Sequence, residues 1–174
     1  MARSALQSNK RIGQGPLPAA AYVPAACVVV AILFCTLPII LENGWFPDFG
    51  FLMLIAWRLR RADVWPAWWA AVLGLINDAL SGAPIGLSVA VWTGAMLLTE
   101  IAERRILWKD YWIEWALAAL LIAMNETAQW QVAAWTGARL PFTAVVPTLF
   151  ISIAAFPIFA WAVAGIDGWR LRRR

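Results

Sequence analysis

The chain has 174 residues, of which 63% are hydrophobic and 14% are charged, and its formal net charge is +4. Soluble domains are usually about 45–50% apolar and about 25% charged, so this composition excludes an ordinary soluble domain and predicts an integral membrane protein. The chain has no histidine, which excludes imidazole metal ligands and the commonest general base. The basic residues stand in short clusters between apolar runs, so the positive charge does not indicate a nucleic-acid partner.

Six apolar runs predict an all-α bundle of about six transmembrane helices within a polytopic domain of residues 19–168. Residues 1–18 are a predicted disordered cytoplasmic tail, and residues 169–174 are a predicted basic cytoplasmic tail. The second run is short for a span and would need snorkelling arginines or a thinned bilayer. The predicted helices cover residues 19–41, 49–57, 64–80, 84–98, 111–131 and 141–166.

The distribution of positive charge predicts the orientation of the bundle. Of the 14 Lys and Arg residues, 13 lie in the two tails and in the links after the second and fourth helices. The alternate links contain only Arg139. By the positive-inside rule, both termini and both basic links face the cytoplasm, which also favours an even number of spans.

A polar turn separates the third and fourth helices. Asn77 and Asp78 end one apolar run, and Ser81, Gly82 and Pro84 turn the chain into the next. Asp78 is about 20 Å along its helix from the cytoplasmic start, in the outer half of a hydrocarbon layer about 30 Å thick or at its edge. A charge at that depth indicates a functional contact or a paired interior site.

A structural interpretation of the same turn is also open, and the two could coexist. Asp78 would then be solvated at the periplasmic surface or bonded to nearby backbone groups. Gly82 would end the third helix in the left-handed conformation, and Ser81 would accept bonds from the amides that open the fourth helix, with Pro84 in its first turn.

Three charges are predicted near the same outer face. Glu126 lies about 21 Å along the fifth helix, at a depth similar to that of Asp78, and Arg139 is the one positive charge near that face. One hypothesis is that Arg139 pairs with Asp78 or Glu126, because an unpaired charge at this level is costly. The alternative is that all three point into periplasmic water.

No catalytic arrangement emerges from the sequence. There is no nucleophile–base pair, no metal-ligand cluster and no phosphate-binding glycine loop, so we expect neither an enzyme nor a cofactor.

Two stretches of the sequence resemble the family of the rod shape-determining protein MreD. Its members typically have Pro-Asp at the start of the second span and Gly-Leu-x-x-Asp-x-x-Ser-Gly-x-Pro-Leu-Gly after the third. Here Ile85 stands where Leu is usual, and Asn77 where an aliphatic residue is commoner. The matching residues are Pro47-Asp48 and the run Gly74-Leu75-Ile76-Asn77-Asp78-Ala79-Leu80-Ser81-Gly82-Ala83-Pro84-Ile85-Gly86-Leu87.

The resemblance implies a non-enzymatic, multi-pass scaffold of the bacterial inner membrane that acts in cell elongation. Its implied partners are the bitopic protein MreC and, directly or indirectly, MreB filaments and the peptidoglycan synthases, a SEDS glycosyltransferase and a class B penicillin-binding protein. Membrane lipids would contact its basic loops.

The fold implied by the resemblance is similar to that of the substrate-binding subunits of energy-coupling-factor transporters, so a small-molecule-binding transport subunit is the alternative. The residues singled out as structural or partner-contact candidates are Pro47, Asp48, Gly74, Asn77, Asp78, Ser81, Gly82, Pro84, Gly86, Glu126 and Arg139.

Overall fold

The computed structural model of the protein describes residues 18–37, 46–61, 66–105, 110–137 and 141–172. Within these ranges the chain is helical, with six α-helices, one short 3-10 helix and no strand. The predicted all-α class and the number of helices are therefore confirmed. The helices are α1 (Pro18–Cys35), α2 (Phe49–Arg60), α3 (Trp68–Ser81), α4 (Leu87–Arg105), α5 (Tyr111–Trp135) and α6 (Val145–Arg172), and the 3-10 helix Phe142–Ala144 precedes α6.

The short helix α2 lies at the centre of the bundle. It packs against α1, α4, α5 and α6. Its residues from Gly50 to Leu52 and from Leu54 to Arg58 are all buried, which is the pattern of a helix enclosed by protein on every side. The centre is tightly packed, because a Cβ added to Gly50 would lie 2.7 Å from Ile32 Cγ1 and 3.1 Å from the Trp92 ring.

The other helices form an arc around α2 in the order α1, α3, α4, α5, α6, as their mutual contacts show. Helices α3 and α4 form the closest pair. The core that this arc encloses is apolar and rich in large side chains. Its largest fully buried members are Trp57, Trp92, Phe51, Ile32, Leu52, Leu54, Ile55, Leu73, Leu121, Ile122, Val28 and Val163.

Helix α1 ends earlier than the sequence predicts, at Cys35 rather than at residue 41. The amide and hydroxyl of Thr36 both bond to the Leu33 carbonyl, at 3.2 and 2.7 Å, and close the last turn. Pro38 follows two residues later. Proline has no amide hydrogen and disfavours helical geometry in the residue before it, which accounts for the early end.

Helix α4 is displaced along the sequence relative to its prediction. Pro84 is not in its first turn but in the turn before it, where the Pro84 carbonyl accepts from the Leu87 amide at 3.1 Å. At the other end the helix continues through the charged stretch to Arg105. The Arg104 guanidinium bonds to the Glu100 carboxylate at 2.6 Å, an i, i+4 pair that supports this last part of the helix.

One helix of the described residues, Phe142–Trp169, is long and apolar enough to cross a membrane, and Tyr22–Cys35 is a shorter apolar helix. The longer one combines the 3-10 helix with most of α6. Helix α6 begins at Val145 rather than at residue 141, and it ends at Arg172 rather than at residue 166. Length and composition therefore allow one crossing among the described residues. The six crossings predicted from the apolar runs remain a prediction.

Candidate functional site

The turn between α3 and α4 is built on the Asp78 carboxylate. One of its oxygens accepts from the Gly86 amide at 2.7 Å and the other from the Ser88 amide at 2.9 Å. Asp78 is 1% exposed, so it is not solvated. These amides open α4, and a negative charge at a helix N-terminus is favourable. The sequence analysis expected the Ser81 hydroxyl to accept from the amides that open α4. In the structure the Asp78 carboxylate accepts from them, one amide to each oxygen.

Two further contacts hold the hairpin together. The Asn77 amide donates to the Ser88 hydroxyl at 3.0 Å, in a buried bond. A Cβ on Gly74 would lie 2.7 Å from the Ser88 carbonyl carbon and 2.8 Å from the Val89 nitrogen. Glycine therefore allows the backbones of α3 and α4 to touch at this level.

Glycine also sets the two bends of the turn. Gly82 follows α3 with φ 70°, the left-handed conformation that commonly ends helices, as the sequence predicts. Gly86 precedes α4 with φ 104°, a value that residues with a Cβ rarely adopt. Between them, Ile85 is 81% exposed, so the turn presents one large apolar side chain outward.

A second polar cluster lies at the start of α2, where Asp48 meets α5. One Asp48 oxygen accepts from the Phe51 amide at 3.0 Å and caps α2, and the other faces the Gln129 amide nitrogen at 3.5 Å. Asn125 and Glu126, on the same helix as Gln129, also lie near Asp48. We call Asp48, Asn125, Glu126 and Gln129 the outer polar cluster.

The outer polar cluster adds Asp48 to the neighbours that the sequence suggested for Glu126. The predicted depth of Glu126, similar to that of Asp78, stays a prediction. The proposed ion pairs of Arg139 lie outside the described residues. Pro47 is buried just before Asp48, and its carbonyl oxygen lies 4.0 Å from the Cys35 sulfur.

A match to a known family covers most of the chain, including the α3–α4 turn and the outer polar cluster. Residues 20–164 match the family described as rod shape-determining protein MreD. The chain belongs to the MreD family. The match therefore confirms the resemblance seen in the sequence, and with it a role in rod-shape determination. No curated protein and no solved structure shows a significant match to the chain.

Two ion pairs lie outside the family motif, at the C-terminal end of α2, which is the end away from Asp48. Arg58 donates to both oxygens of Glu103 on α4, at 3.2 and 2.9 Å, with the Arg58 side chain only 7% exposed. Arg61 donates to Asp167 on α6 at 3.1 Å. The sequence analysis missed both pairs, because it considered these arginines only as snorkelling or loop residues and singled out neither acid.

The two ion pairs fix the relative direction of three helices. Arg58 and Arg61 are at the C-terminal end of α2, Glu103 is in the last turn of α4, and Asp167 is near the end of α6. The C-terminal ends of all three even-numbered helices therefore lie on one side of the bundle. We call the pairs Arg58–Glu103 and Arg61–Asp167 the inner ion pairs.

Proposed function

We propose that this MreD-family protein is a non-enzymatic, multi-pass scaffold of the bacterial inner membrane that acts with MreC in cell elongation and peptidoglycan synthesis. The family match over residues 20–164 supports the rod-shape role, and the MreD family is not an enzyme family. The bonding of the motif supports the scaffold, because its charged residue stabilises a helix hairpin. Both oxygens of Asp78 bond to backbone amides, so the carboxylate is engaged in the fold.

The inner ion pairs support the proposed topology. In a six-span chain with both termini cytoplasmic, α2, α4 and α6 all run towards the cytoplasm. Their C-terminal ends meet at Arg58, Arg61, Glu103 and Asp167, as that topology requires. At the other end of the bundle, Asp48 at the start of α2 faces Gln129 late in α5. The distribution of Lys and Arg then puts the inner ion pairs on the cytoplasmic side.

For the partner contact, the exposed part of the family motif is the best candidate. Asp78 and Asn77 are buried, whereas Ile85 is 81% exposed on the same turn. Large apolar side chains that are exposed in one partner and buried in the complex supply much of the affinity of an interface. We propose that the turn contacts MreC through Ile85, and that synthases and MreB are reached through MreC or through the basic cytoplasmic links.

Co-purification tests this proposal. The tagged protein would be co-expressed with MreC of the same cell and isolated in mild detergent as wild type, Ile85→Ala and Ile158→Ala. Ile158 lies on α6, is 65% exposed and supplies the same substitution away from the turn. We expect the wild type and Ile158→Ala to retain MreC and Ile85→Ala to retain several-fold less. No retention by the wild type would contradict the scaffold, and equal retention by all three would exclude the turn as the contact.

The transport-subunit alternative gains no support from the groove beside the inner ion pairs. This groove, between α2, α4 and α5, encloses no space large enough for a water molecule and is lined by residues that include Leu54, Ile55, Met96 and Leu121. Sites for small molecules usually have about 300–1,000 Å³. A small molecule that stabilised the wild-type protein in the absence of MreC would nevertheless favour the transport subunit.

A further inference from the structure

Large apolar side chains are exposed in the two connections that flank the outer polar cluster. Trp135, the last residue of α5, is 76% exposed, and Phe142 is exposed where the chain returns towards α6. Leu37 and Phe46, at the two ends of the connection between α1 and α2, are exposed as well. We call these four residues the outer apolar rim.

The same two connections expose no charged side chain within their described residues, which are 36–37, 46–48, 136–137 and 141–144. Asp48 is the one charged residue among them, and its carboxylate is turned onto the Phe51 amide as the cap of α2. Glu42 and Arg139 belong to these connections but lie outside the described residues. Exposed apolar surface grouped in this way marks contact with a membrane or with another molecule.

The length of α5 favours the membrane. Trp112 is exposed in the first turn of α5 and Trp135 at its last residue, 135 − 112 = 23 positions later. At 1.5 Å per residue the two are about 35 Å apart along the axis. A hydrocarbon layer is about 30 Å thick, and a bilayer with its headgroup regions about 40–45 Å. When α5 crosses the bilayer, both indole rings therefore fall in headgroup regions, where tryptophan is enriched.

We propose that the outer apolar rim lies in the headgroup region of the outer leaflet, so that lipid covers it and these two connections do not project into periplasmic water. The inference rests on the proposed multi-pass topology and adds the depth of the bundle to it. An indole ring at this level places its apolar body against acyl chains and its N–H among polar headgroups. The α3–α4 turn is not part of the rim, so its proposed contact with MreC is a separate matter.

Trp161 on α6 supplies a standard of depth within the same chain. It is 79% exposed and stands 169 − 161 = 8 positions before Trp169, about 12 Å along the helix. Trp169 follows Asp167 of the inner ion pairs by two residues and is exposed at the cytoplasmic end. In the proposed topology Trp161 therefore faces acyl chains near the middle of the bilayer.

The test measures the depth of single tryptophans by fluorescence quenching. The full-length protein, without MreC, is reconstituted into phosphatidylcholine vesicles whose acyl chains carry bromine either near the headgroup or near the middle of the bilayer. Iodide in the water is the third quencher. The difference between the wild type and Trp135→Phe gives the quenching of Trp135, and Trp161→Phe gives that of the matched control.

We expect Trp135 to be quenched mainly by bromine near the headgroup and Trp161 mainly by bromine near the middle. The quenching near the headgroup should be lost in Trp135→Phe and regained when Phe142→Trp is added to that variant. This second variant reports on the rim from the other side of the α5–α6 connection.

Two results would overturn the proposal. Quenching of Trp135 by iodide and by neither lipid would place the rim in water, and quenching by none of the three would mean that protein covers it. Failure of the multi-pass topology itself gives a different result, because Trp161 would then also be quenched by iodide and by neither lipid.

Discussion

Removal of the Asp78 carboxylate should destabilise the folded bundle substantially. In Asp78→Ala the amides of Gly86 and Ser88 lose their acceptors, which stand at 2.7 and 2.9 Å. A hydrogen bond to a charged group contributes about 1.5–3 kcal/mol. The Ser88 amide is buried and gains no water in exchange, whereas Gly86 is partly exposed and regains some. We therefore expect a loss of about 2–4 kcal/mol, which corresponds to a fall of roughly 5–15 °C in the unfolding midpoint.

The matched control for this prediction is Asp110→Ala. Asp110 occupies the N-cap of α5 but makes no capping bond with its side chain, and it is exposed. Its removal should change the free energy of unfolding by no more than about 0.5 kcal/mol. Both variants would be unfolded thermally in the same detergent. Equal midpoints for the two variants would refute the reasoning, because they would show that the bonds of Asp78 add nothing to stability.

Two further pairs of substitutions test the packing and the inner ion pairs. Gly74→Ala should lower the free energy of unfolding by about 1–3 kcal/mol, because its Cβ would lie 2.7 Å from the backbone of Ser88. Gly94→Ala should raise it by up to about 1 kcal/mol, because no atom lies within 4 Å of the added Cβ. Glu103→Gln leaves the buried Arg58 charge without its ionic partner and should lower the free energy of unfolding by about 3 kcal/mol. Glu100→Gln, in an exposed pair on the same helix, should lower it by less than about 0.5 kcal/mol. Thermal unfolding checks both pairs, and a Gly74→Ala variant more stable than the wild type would exclude the close contact of α3 and α4.

Much of the architecture could be predicted from local features of the sequence. Apolar runs locate the helices, and the polar turn from Asn77 to Gly86 predicts a hairpin because its Asp, Gly and Pro residues act within a few positions of one another. The helix ends were less predictable. The end of α1 depends on Pro38 and Thr36, and the start of α4 depends on which side chain reaches its first amides.

The contacts between distant parts of the chain could not be predicted. Asp48 and Gln129 are 81 residues apart, and Arg61 and Asp167 are 106 apart. Their pairing depends on how the helices are arranged around α2, and hydropathy does not determine that arrangement. Hydropathy also leaves the surroundings of α2 undetermined. A short apolar run with arginines at its end has the same composition whether it faces lipid or lies at the centre of a bundle.

The central position of α2 resolves the difficulty of its length. The axial distance from Asp48 to Arg58 is about 15 Å, half of a hydrocarbon layer about 30 Å thick. A lipid-facing helix of that length would require a thinned bilayer. Helix α2 instead faces α1, α4, α5 and α6, and α5 alone has 25 residues, about 37 Å. In the proposed topology, α5 is therefore long enough to cross the whole layer, whereas both polar ends of α2 would stay inside it. Each end then needs partners from the bundle, and the outer polar cluster and the inner ion pairs supply them.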